Sequence, residues 1–157
     1  MKKELLKGFS MLVLLLVLAL ATAVASTNAQ SSNKVVANIP FEFSVGYKTM
    51  PAGEYAVRTV TSSGNALMIQ SADGKLAAVR LSDETERAKN NSHARLVFHR
   101  YGQRYFLAEV WNGIDRTGRQ LLKSSEESAI ERELANIAKS ESPKDTYETI
   151  EVIASLR

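Results

Sequence analysis

His93 and His99 are the only imidazoles in the chain. On an extended strand, six residues at about 3.3 Å each hold them roughly 20 Å apart, so they cannot share a metal ion. No His/Cys or Glu-Xaa-Xaa-His spacing elsewhere supplies a zinc ligand set. The chain has no cysteine, which excludes disulfides, thiolate ligands, a cysteine nucleophile and lipid attachment at a cysteine. Glu109 falls diagonal to His99 if the segments around them pair, which would make an acid–base pair. No Gly-Xaa-Ser-Xaa-Gly elbow supplies a serine for that base to activate, so no catalytic residue is expected. Asn112-Gly113-Ile114-Asp115-Arg116 has the outline of a calcium loop, but Ile114 and Arg116 stand where oxygen ligands are required. It reads as a turn, and neither metal nor cofactor is expected.

The best candidate for a binding surface lies on two consecutive strands. Arg95, His99 and Tyr101 alternate on the first, and Tyr105, Glu109 and Trp111 on the second. Flat aromatic area with polar edges is the composition favoured at recognition surfaces, and Arg95 opposite Trp111 is within cation–π reach. Aromatic cross-strand pairs also stabilise sheets beneath a covering helix. The sequence leaves both readings open.

The elements that must position these residues follow from periodicity. Val35, Ala37, Ile39, Phe41, Phe43 and Val45 are apolar at every second position, a half-buried strand signal over eleven residues. Pro40 lacks a ladder donor, so the strand is expected at an edge or bulged there. Gly46 to Gly53 reads as a turn and Glu54 to Thr61 as the second strand. Ala66 to Ala72 and Lys75 to Ser82 form a hairpin about Asp73-Gly74, a pair suited to positive φ. Asp83 to Ser92 is charged and aperiodic and reads as a loop.

In the next hairpin, Ala94, Leu96 and Phe98 share one face with Phe106, Ala108 and Val110 only if Tyr101 pairs with Tyr105. That register predicts a three-residue loop, Gly102-Gln103-Arg104. Ser124 and Glu127 have capping-box spacing, and Ile130, Leu134, Ile137 and Ala138 recur at helical intervals. An amphipathic helix is expected to end by Ser140, ahead of Pro143. Thr146 to Ala154 is β-branched and reads as a last strand, placed beside the first to cover its edge. The fold class expected is mainly β: an antiparallel meander of about seven strands forming a small sandwich or barrel, with one helix before the last strand.

The N-terminus carries its own signal. Lys2, Lys3 and Lys7 precede an apolar run from Met11 to Ala21 and a small-residue exit, the three parts of a secretory signal peptide. Residues 1–29 are expected to be removed after Ala29, or after Ala25. Residues 30–34 form a polar lead-in, and 35–157 a single β-rich domain. The apolar run is short of the about 20 residues of a spanning helix, so no membrane span is expected after cleavage. Three of the 20 basic residues and one of the 17 acidic ones lie in the leader, taking the formal charge from +3 to +1. A near-neutral domain without a basic block gives no reason to expect nucleic acid.

Ile39-Pro40-Phe41-Glu42-Phe43-Ser44-Val45-Gly46 followed by Met50-Pro51-Ala52-Gly53-Glu54-Tyr55 resembles the opening of a group of uncharacterised small exported β-rich proteins of acidobacteria. Leu96 to Gly102, Tyr105-Phe106-Leu107, Trp111 and the Gly118-Arg119-Xaa-Leu121 stretch are similar to that group as well. The resemblance covers nearly all of the chain beyond the leader. It implies an exported β-rich fold and brings no catalytic residues. The Pro-Ala-Gly-Xaa-Tyr piece alone is also similar to turns of prealbumin-like adhesin and carrier domains.

Together these features lead us to expect a periplasmic or extracellular, non-catalytic binding or envelope-accessory protein. Its partner would be an envelope protein, a glycan or a small apolar ligand. A small-molecule carrier with its ligand inside a barrel is the alternative, for which Ala37, Ala77, Ala78 and Ala108 would leave room. A small hydrolase-like enzyme is a further alternative and would need a buried acid–base pair facing a cleft.

Overall fold

Pro40 governs the first turn of the architecture. The apolar alternation runs through it unbroken, but the missing N–H ends the ladder there, and the expected single strand becomes two. In the computed structural model, which describes residues 34–86, 93–138 and 146–157, β1 is Val35–Ile39 and β2 is Phe43–Val45. β1 pairs antiparallel with β4 (Gly53–Thr59). β2 pairs with β3 (Lys48–Met50), a short strand inside the expected turn, and parallel with β8 (Arg104–Trp111) through Ser44 and Phe106. Val35, Ala37, Ile39, Phe43 and Val45 all reach the same core. The alternation therefore reports the buried face correctly while concealing the change of partner.

β5 (Ala66–Ser71) and β6 (Ala77–Glu86) form the expected hairpin around Asp73 and Gly74. Gly74 takes φ +71°, and Asp73 Oδ1 accepts from the Ser71 hydroxyl and the Lys75 N–H. β6 runs on to Glu86, where a loop was expected, because a strand the sequence reading missed stands beside it. Ala77 to Leu81 pair with β5, whereas Ser82 to Glu86 pair with β9 (Thr117–Leu121). The rest of the expected loop, 87–92, lies outside the described residues, as do the leader and all of the lead-in except Lys34.

β7 (Arg95–Tyr101) and β8 form the second hairpin. Its turn is two residues, Gly102-Gln103, with Tyr101 opposite Arg104 and Gly102 at φ +62°. The expected three-residue loop is thus corrected, yet the expected pairs Arg95–Trp111 and Val97–Glu109 are present. A bulge reconciles the two: Val97 faces Glu109 and Phe98 faces Leu107, leaving Ala108 as the extra residue. A bulge absorbs one residue of register, so Leu96 and Phe98 share the core with Val110 and Leu107.

The single described helix, α1 (Ser125–Ala138), precedes β10 (Glu148–Ile153) and β11 (Ser155–Leu156). β10 pairs antiparallel with β7, and β11 with β1. The expected last strand, Thr146 to Ala154, therefore lies beside β7 rather than beside the first strand, and only Ser155–Leu156 beyond it returns to β1. The molecule is mainly β, but the eleven strands among the described residues form a mixed sheet: nine follow the order β10-β7-β8-β9-β6-β5-β4-β1-β11, and β2 and β3 branch off at β8. A seven-strand antiparallel meander is corrected: the Pro40 break, the β2–β8 parallel bridge and the unforeseen β3 and β9 account for the difference. The two ends of that order, β10 and β11, are separated on the chain by Ala154 alone, whose N–H donates to Ala94 O at 2.9 Å.

All described residues lie in one compact unit, Asn33–Arg157. Its core is organised by edge-to-face aromatic contacts, Phe43 with Tyr55 at 5.1 Å and with Phe98 at 5.5 Å between centroids. Ile39, Met50, Ile69 and Leu96 are fully buried around them.

Candidate functional site

The aromatic strand pair is built by alternation and then covered. Arg95, Val97, His99 and Tyr101 share one face of β7, and all four are buried, as are Phe106 and Trp111 on β8. The cover begins with Ser124, whose Oγ accepts from the Glu127 N–H at 3.0 Å and caps α1. The capping box is completed only on that side. The Glu127 carboxylate turns to the sheet instead, with Oε1 2.9 Å from His99 Nδ1 and 3.4 Å from the Tyr101 hydroxyl, which donates to it. Glu127 is 4% exposed and His99 7%, so this contact is an interior one.

Rings close the rest of the cluster. Tyr147 lies 4.0 Å from the His99 ring and 5.5 Å from that of Tyr101. Burial, followed by the Glu127 charge, pushes the Tyr101 hydroxyl far above its ordinary value. Outside the cluster, Arg104 binds Glu126 and Lys123 binds Glu131 at 2.7 Å, so two ion pairs lie along α1.

The six residues expected to form a binding surface therefore divide. Arg95, His99, Tyr101 and Trp111 come together but are buried rather than presented. Arg95 lies over Trp111, 4.8 Å from the ring centroid, as its cross-strand position predicts. Half-buried Glu109 accepts from Trp111 Nε1 at 2.8 Å, and the carboxylate that reaches His99 is Glu127. Tyr105 is on the other face, stacked on Phe41 at 4.0 Å and 17°, because the Ala108 bulge reverses the alternation near the turn. The signal for Glu127 was in the sequence as a capping-box residue, but its partner, 28 positions away, was not.

Chemically, the carboxylate could orient the imidazole as a base, leaving Nε2 to act. The Tyr147 ring stacks close to the imidazole, and no described serine stands in a nucleophile's place beside it. The contact's evident work is to fasten helix to sheet. Among the described residues no three acidic or imidazole groups converge as metal ligands. Asn112 Oδ1 accepts from the N–H groups of Ile114 and Asp115 at 3.0 and 3.1 Å, which makes the expected turn.

A second site was not anticipated. A cavity of about 250 Å³ opens among β1, β4, β5, β8 and β9, beside the Asn112–Asp115 turn. Its floor is apolar: Val35, Val57, Leu67 and Val110, all buried. Arg58, Thr59, Asn112, Asp115, Thr117 and Arg119 supply its polar lining. Val110 pairs with Arg119, so the inner face of β9 places Thr117 and Arg119 above that floor. The four alanines expected to leave room are not its cause. Ala37 is in the filled core, Ala78 packs against it, Ala77 is exposed and Ala108 is the bulge residue.

No described helix is long and apolar enough to cross a bilayer. No family model, curated protein or solved structure matches the chain.

Proposed function

We propose that the chain is an exported, non-catalytic binding protein of the cell envelope that holds a small ligand in the β-lined cavity. The observation that carries this reading is a preformed cavity whose apolar floor lies beneath a largely polar rim. Burial of Trp111 and its neighbours favours the cavity over the aromatic strand pair as the binding site. The leader and the resemblance to exported acidobacterial proteins support a periplasmic or extracellular setting. The reading includes a sheet curled into a small barrel, supported by the adjacency of β10 and β11 at opposite ends of the strand order. Ligand sites favour the mouths of such barrels.

Native mass spectrometry of the protein taken gently from its own envelope fraction tests the reading. A reproducible small additional mass is the expected result. A bare chain mass in every preparation, unchanged by added small-molecule extract, would overturn it.

A further inference from the structure

Resting on that binding reading, we propose that the cavity's ligand is a small carboxylate with a short apolar tail, its charged end held by Arg119. Arg119 is half-buried on the inner face of β9, opposite Val110. Its side chain makes no hydrogen bond or ion pair among the described residues, although Glu84 stands opposite it on β6. A guanidinium carries five donors and no acceptor, and none of those on Arg119 is buried without a partner, so they stay available to an acceptor that enters the cavity. A carboxylate accepts from them through two parallel N–H···O bonds.

The guanidinium lies against Gly64. A Cβ on Gly64 would lie 2.5 Å from Arg119 Nη2. Gly64 is buried and has φ +68°, a backbone conformation that favours glycine. Asp115, the acidic group of the lining, is engaged by Asn112 Nδ2, which donates to its Oδ2 at 2.6 Å. The apolar floor then fits the tail. At about 250 Å³ the cavity falls under the roughly 300 Å³ at which pockets for drug-sized ligands begin, which favours a short chain over a long one.

Sodium hexanoate and 1-hexanol share a tail length and differ in the charged end. Each is titrated into the purified protein while backbone amide shifts are followed by NMR. Hexanoate is expected to shift the amides of Thr59, Gly118 and Arg119, and to bind roughly tenfold or more tightly than hexanol. Arg119→Gln should bring hexanoate down to the hexanol level, with circular dichroism confirming the fold. Equal binding of the two probes would overturn the carboxylate assignment and leave the cavity reading standing. Hexanoate binding unchanged in Arg119→Gln would overturn it too. Absence of shifts around the cavity with either probe would overturn both. Should the variant fail to fold, the comparison of the two probes on the native protein still decides.

Discussion

At the scale of single residues, Glu127 ties the helix to a strand 28 positions earlier. Its N–H completes the Ser124 cap while its carboxylate meets His99 and Tyr101 inside the molecule. Removing the Glu127 carboxylate leaves His99 Nδ1 and the Tyr101 hydroxyl without their partner inside the molecule, at about 1–3 kcal/mol. Glu127→Ala is therefore expected to lower unfolding free energy by that amount in urea titration, and Glu127→Gln, which can still hydrogen-bond, by clearly less. Tyr101 carries a pH prediction. Burial and the Glu127 charge raise its folded-state pKa, so the native state keeps the phenol proton after the unfolded chain has begun to release it. The associated stability is complete below about pH 10 and declines as pH rises further. Tyr55 shifts in the same direction, first through burial and then through Asp73, so it adds to the decline. In Tyr101→Phe the drop in urea midpoint between about pH 8 and about pH 11 should shrink without vanishing. An unchanged drop would mean that Tyr101 does not control it.

At the scale of elements, β9 shows why part of the site was illegible. Thr117-Gly118-Arg119-Gln120-Leu121 has no apolar alternation, and Gly118 looks like a turn residue. Its lack of a side chain is instead a packing requirement: a Cβ there would come within 2.6 Å of the Trp111 ring. The indole therefore lies between Arg95 on one neighbouring strand and Gly118 on the other. Gly118→Ala must displace the ring, at about 1–3 kcal/mol for overpacking. Because Trp111 is the only tryptophan, a shift in intrinsic emission should accompany the lower unfolding midpoint. The hairpin before it was half legible. Apolar pairing gave the right partners distant from the turn, while glycine set a shorter turn, and only a bulge satisfies both. The helix and its cap were readable from local spacing; the target of its carboxylate depends on a strand 28 residues earlier and left no local mark.

At the scale of the whole molecule, apolar period and β-branching made the mainly β class and a strand after the helix visible in advance. Strand order was not, because Pro40 and Ala154 each let one extended run serve two different neighbours. Inner faces persist through such breaks, whereas hydrogen-bond partners do not. The cavity was equally hidden, since its lining comes from five strands and one turn. One feature of this order bears on mechanics. Lys34 and Arg157 exchange both backbone hydrogen bonds at 2.9 Å, followed along the ladder by Val35 with Leu156 and Val36 with Ser155. Tension applied between residues 34 and 157 therefore loads the rungs one after another, like the teeth of a zip. In single-molecule stretching from those two points, β11 should peel away first and at low force. Anchored through one end alone, the same fold bears no such load.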